Sequence, residues 1–90
     1  MIKKSFKVTS EAGLHARPAT SIVNEANQFG AEIEITYKEK TVNLKSIMGL
    51  MSLGIAEGAE IIIQASGSDE EEAINGLTNR LKSESLAEAL

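Results

Sequence analysis

The stretch AEIEITYKEKTVNL, residues 31–44, decides the fold. Ile33, Ile35 and Tyr37 alternate with Glu32, Glu34 and Thr36, the period of a half-buried strand. The polar KEK, residues 38–40, reads as a tight turn, and TVNL, residues 41–44, as the partner strand. Two strands joined by so short a turn must run antiparallel. Strict alternation leaves one face of such a sheet covered and the other wet.

Towards the N-terminus, IKKSFKV places Ile2, Phe6 and Val8 on one face and Lys3, Ser5 and Lys7 on the other, a second half-buried strand. TSEAG breaks the alternation. From Ala16 the period becomes helical through Ala19, Ile22, Val23, Ala26 and Phe29, with Gly30 as the stop. Beyond the hairpin, Ser46 is a good N-cap for a short helix in SIMGLMS, and Gly54 and Gly58 bracket a loop. EIIIQAS is a further strand. SDEEEAINGLTNRLKSESL reads as an amphipathic helix with Ser68 and Glu71 at capping-box spacing and Ala73, Ile74, Leu77 and Leu81 inward. Its acids come first and its bases later, as the helix dipole favours, while Gly76 weakens it slightly. The order β-α-β-β-α-β-α, with no linker or repeat, predicts one domain over residues 1–90. The expected fold is an α+β open-faced β-sandwich: a four-stranded antiparallel sheet with three helices on one face.

Ninety residues support a modest core and little surface for a deep cleft, which points to a surface site offered to larger partners. There is no cysteine, so disulfide and thiolate chemistry are excluded. A single histidine cannot build a multi-histidine metal site, and no EF-hand spacing occurs, so neither metal nor cofactor is expected. The net charge of −4 and the scarcity of aromatics point away from direct nucleic-acid binding. MIKKSFKV is too short and polar for a signal peptide, and no apolar run suits membrane insertion. A cytoplasmic monomer is expected.

The only histidine and the only proline fall together in AGLHARPAT, residues 12–20. Pro18 suits the first helical turn, where its missing N–H costs nothing. The position where Ser, Thr, Asp or Asn usually caps is held by His15, at a cost of a few tenths to ~1 kcal/mol. Neutral imidazole is a good nucleophile towards phosphorus near neutral pH. A helix N-terminus offers free N–H groups and positive potential to a phosphate, and the Arg17 guanidinium can grip phosphate oxygens. Gly13 gives the preceding loop freedom to expose the ring. The plain alternative is a surface histidine acting as a cap beside an ordinary arginine. A histidine-dependent phosphatase is disfavoured, because no second histidine or convergent acid serves the leaving group.

SIMGLMSLGI, residues 46–55, is too apolar for a helix of one or two turns. Leu50 and Leu53 are expected inward. Ile47, Met48 and Met51 are expected at least partly outward as a docking patch, a use that suits methionine. Ser46 reads first as a plain N-cap. Phosphate at a helix start is also electrostatically accommodated.

GLHARPAT followed by KTVNLKSIMGLMSLGIAEGAEI resembles the histidine-containing phosphocarrier (HPr) family of the bacterial phosphoenolpyruvate:sugar phosphotransferase system. The resemblance runs over essentially the whole chain and departs slightly only in the final helix and its SLAEAL tail. It implies strand order 1-4-2-3. It implies that His15 accepts the phosphoryl group on Nδ1, giving a pros-phosphohistidine, and that Arg17 contacts the phosphate. Enzyme I is implied as donor and the EIIA domains of sugar permeases as acceptors. The chain would thus be a carrier acted on by enzymes, not itself an enzyme. Thr20, Ile47, Met48 and Met51 would form the shared docking surface. Ser46 resembles the site of the ATP-dependent HPr kinase/phosphorylase, and KTVNLKSIMG looks like the Gram-positive branch. A purely regulatory alternative follows from that serine: once phosphorylated, it would serve the transcription factor catabolite control protein A. The family also includes a regulatory paralogue that lacks the histidine, and the presence of His15 does not fit that branch.

Overall fold

The computed structural model describes residues 1–90. The strands are β1 (Ile2–Val8) and β2 (Glu32–Tyr37), where hydrophobic residues alternate, β3 (Lys40–Asn43), and the isoleucine-rich β4 (Glu60–Ser66). The helices are α1 (Ala16–Ala26) and α3 (Glu70–Ser83), where the hydrophobic period is helical, and the short α2 (Ile47–Met51) behind its Ser46 cap. A short strand, β5 (Ala87–Ala89), ends the chain. All pairings are antiparallel and the strand order is β3-β2-β4-β1-β5. The central β4 aligns Ile61, Ile63 and Ala65 with Phe6 and Ile2 on one side and Tyr37, Ile35 and Ile33 on the other. These form the covered face, under α1 and α3, and all but Ile2 and Tyr37 are fully buried.

The structure keeps the expected α+β sandwich and the 1-4-2-3 order but adds a fifth strand. The expected final helix runs to Leu86, whereas α3 stops at Ser83. Ser85 takes a left-handed φ of 54°, and Leu86 and Ser85 donate back to the carbonyls of Leu81 and Lys82. This is the Schellman closure, with Leu86 buried against the helix end. Its left-handed position normally carries glycine, so a serine there gives no stop signal. The released tail then pairs with β1, through Lys7 opposite Glu88 and the Leu90 N–H donating to Ser5.

Two helix ends also differ from expectation. After Asn27 the backbone bonds of α1 tighten, with Gln28 and Phe29 donating to Glu25 and Ala26, so the helix ends before Phe29. Phe29 instead lies partly buried beside Gly76, where a Cβ would come within 2.9 Å of its ring. Gly76 therefore admits a close approach between α3 and the end of α1. At the start of α3 no Ser68–Glu71 capping box forms. The N-cap is Asp69, whose carboxylate accepts from Gly30 and Ala31, both at 2.8 Å, and so ties α3 to the start of β2. Glu70 reaches back instead, accepting from Gly67 at 3.1 Å and pairing with the N-terminal ammonium at 2.9 Å.

No polar or charged side chain is buried. The interior therefore holds no functional group, and any chemistry lies on the surface.

Candidate functional site: an exposed histidine at a helix head

The loop that delivers His15 is fixed by backbone contacts. Gly13 donates to Ser10 at 2.9 Å, and the N–H of buried Leu14 donates to the Ile55 carbonyl at 3.1 Å. His15 is the N-cap of α1, with extended backbone at φ −82° and ψ −169°, and its carbonyl accepts from Ala19. Its side chain makes no capping bond and stands exposed. The N–H groups of Ala16 and Arg17 have no partner within the chain, and Pro18, buried in the first turn, has none to offer. Both free donors thus lie immediately beside the imidazole, at the positive end of the helix dipole.

Arg17 is exposed and engages no carboxylate. Arg80, by contrast, is held by Glu25 at 2.9 Å and Glu84 at 3.3 Å. The Arg17 guanidinium is therefore free to meet an anion. Thr20, one turn along, uses its hydroxyl on the Ala16 carbonyl at 2.8 Å. Together, His15, Ala16, Arg17 and Thr20 line a shallow depression open to solvent. A more enclosed cleft of about 360 Å³ lies between α3 and β5, lined in part by Phe6, Thr78, Lys82 and Ala87. It contains no histidine.

Ser46 caps α2, its Oγ accepting from Gly49 at 3.1 Å. The apolar residues of this segment divide as expected. Leu50 and Leu53 are buried, as is Ile55, while Ile47 is 41 %, Met51 42 % and Met48 84 % exposed. The two regions are set by opposite ends of α1. Asn27 donates to the Lys45 carbonyl and Lys45 Nζ donates to the Phe29 carbonyl, holding the Ser46 end of α2 near the C-terminus of α1. The chain leaving α2 returns through Ile55 to the His15 loop. An eleven-residue helix is about 16 Å long, so Ser46, held beside the C-terminal end of α1, stands roughly a helix length from His15 at its head.

No three His, Asp or Glu side chains converge to form a metal cluster, and no helix is long and apolar enough to cross a membrane. The contact of Gly13 and Leu14 with Ile55 was not legible in the sequence. It joins residues some forty positions apart through backbone atoms, which leave no pattern in side-chain type.

Comparison with known proteins agrees with the fold. The family model described as "PTS HPr component phosphorylation site" matches residues 2–83. The structure superposes on the histidine-containing phosphocarrier protein of Mycoplasma with a TM-score of 0.92 at 42 % identity, covering 94 % of this chain and 97 % of that one. For the phosphocarrier protein HPr of Bacillus anthracis the TM-score is 0.83 at 49 % identity, covering 88 % and 94 %. For the catabolite repression protein Crh of Bacillus subtilis, seen as a domain-swapped dimer, it is 0.73 at 44 % identity, covering 87 % and 90 %. With the family match spanning nearly its full length, this chain belongs to the HPr phosphocarrier family of the phosphotransferase system.

Proposed function

We propose that the chain carries a phosphoryl group on His15, received from enzyme I and passed to EIIA domains. The observation that carries this reading is the exposed, uncommitted imidazole beside two unpaired helix N–H groups and an unpaired arginine. The Nδ1 lone pair forms the phosphorus–nitrogen bond as the donor's bond to phosphorus breaks. Phosphate oxygens then meet the Ala16 and Arg17 N–H groups and the Arg17 guanidinium. On transfer the P–N bond breaks and the phosphoryl group leaves with the acceptor. No fold rearrangement is needed, because the site is already open to solvent. Thr20, Ile47, Met48 and Met51 form the surface on which both partners dock in turn, and the chain works as a cytoplasmic monomer. In support of the monomer, β5 covers part of the β1 edge, which would otherwise invite a second copy.

A regulatory role at Ser46 accompanies the carrier role. Its hydroxyl is at a helix start, where phosphate is electrostatically accommodated, and one similar structure is a catabolite repression protein, which fits phosphorylation there by HPr kinase/phosphorylase and recognition by catabolite control protein A. Phosphate at Ser46 adds about −1.5 to −2 charges beside Ile47 and Met48, which must lose water on docking. It would therefore inhibit transfer without touching His15. Phosphoenolpyruvate with enzyme I should give an acid-labile phosphate, and ATP with the kinase an acid-stable one. Absence of the acid-labile product would defeat the carrier reading and leave the regulatory one standing.

A further inference from the structure

We propose that Gly13 and the Ile55 carbonyl act as positioning elements for His15: a side-chain-free contact between the His15 loop and the α2–β4 connection sets the height of the imidazole above the head of α1. The inference rests on His15 being the phosphoryl acceptor and adds a requirement that this reading does not contain.

The geometry is specific. Gly13 is buried and has a left-handed φ of +68°. A Cβ added there would lie 2.4 Å from the Ile55 carbonyl oxygen and 2.8 Å from the Ala56 Cα. Both neighbours are backbone and cannot swing aside as a side-chain tip would. Ordinary contact would require a retreat of roughly 1 Å by one of the two segments. One residue on, Leu14 N–H donates to that same Ile55 oxygen at 3.1 Å, so the carbonyl bonds the loop immediately after the point where only glycine allows its close approach. Leu14 and Ile55 are both buried, which anchors each side of the contact in the core. His15 follows directly and makes no side-chain bond of its own. The ring is thus held only through the backbone that carries it, by this contact on the loop side and by the Ala19 N–H donating to the His15 carbonyl on the helix side. Glycine at position 13 gives this loop not freedom but close attachment, the reverse of the sequence-based expectation.

Phosphoryl transfer is sensitive to such placement, since a misplacement of about 1 Å can cost on the order of 100-fold in rate. Docking depends on the exposed side chains of α2, which Gly13 does not touch. A shifted loop should thus lower kcat and leave KM nearly unchanged.

The test compares Gly13→Ala with Gly58→Ala. Gly58 also has a left-handed φ, +86°, but a Cβ there meets nothing within 4 Å. It reproduces the backbone strain without the wedge. Both variants would be assayed with enzyme I and phosphoenolpyruvate at a temperature where they remain folded. Imidazole 15N shifts would be recorded on the unphosphorylated proteins. Gly13→Ala should lose kcat by roughly 10- to 100-fold with little change in KM, and its His15 imidazole signals should move. Gly58→Ala should do neither. Equal kcat and unmoved imidazole signals in the two variants would overturn the positioning role. Phosphoryl uptake by a His15→Ala control would instead overturn the acceptor assignment itself. If Gly13→Ala does not fold, replacing Leu14 by its α-hydroxy acid removes only the donor to Ile55 and leaves every side chain in place. The same selective loss of kcat is then expected, and an unchanged kcat would refute the proposal.

Discussion

Arg17 and Arg80, the two arginines of the chain, differ in what surrounds them rather than in kind. Arg80 spends its guanidinium on Glu25 and Glu84 and joins α3 to α1. Arg17 is left free beside His15. Arg17→Ala should therefore slow phosphoryl exchange at least several-fold while barely moving Tm, because an exposed, unpaired charge contributes little to stability. Loss of Tm without loss of exchange would make it structural. Glu70 supplies a separate test by pH. The Gly67 N–H, and after it the N-terminal ammonium, hold its carboxyl below the usual glutamate value. A group with a lowered folded pKa stabilises the protein above its unfolded pKa, and that contribution disappears as pH falls through the folded value. Glu70→Gln should thus lower stability at neutral pH and flatten the loss of stability below about pH 4.5. An unchanged acid limb in urea titrations would contradict the assignment.

At the scale of elements, α2 and β5 show two limits on reading structure from sequence. The division of α2 was legible, because five helical residues cannot bury so many large apolar side chains. Met48→Asp should accordingly weaken partner binding at least tenfold with a change in stability under about 1 kcal/mol, as for a surface substitution. Unfolding of this variant would place Met48 in the core. The two alternating strands, the turn between β2 and β3, the β-prone run of β4 and the helix head at His15 were equally legible, since each depends on side-chain pattern or on local chemistry. β5 was not, because its α3 boundary is marked by a left-handed serine and its three residues are too few for a period. The Asp69 cap was missed for a similar reason: its carboxylate serves backbone N–H groups nearly forty residues away. Leu86 tests whether the tail contributes as drawn. Leu86→Ala should cost about 2–5 kcal/mol, the range for a buried leucine, measured by urea denaturation. A cost below 1 kcal/mol would mean that the tail does not dock.

Across the whole molecule, the core is apolar throughout and serves to hold two surface features in fixed relation. One is His15 at the head of α1, and the other is the apolar face of α2 with Ser46 at its far end. The arrangement suits the proposed carrier role, in which one exposed atom meets each partner in turn. The claim on which this rests is that the imidazole Nδ1 becomes bonded to phosphorus. Because the chain has a single histidine, nitrogen NMR of protein labelled with 15N at that residue reads the answer without assignment. After incubation with phosphoenolpyruvate and enzyme I, phosphorus–nitrogen coupling should appear at Nδ1, be lost on acid treatment and return with fresh donor. A phosphoprotein with an uncoupled imidazole, or with coupling at Nε2, would contradict it.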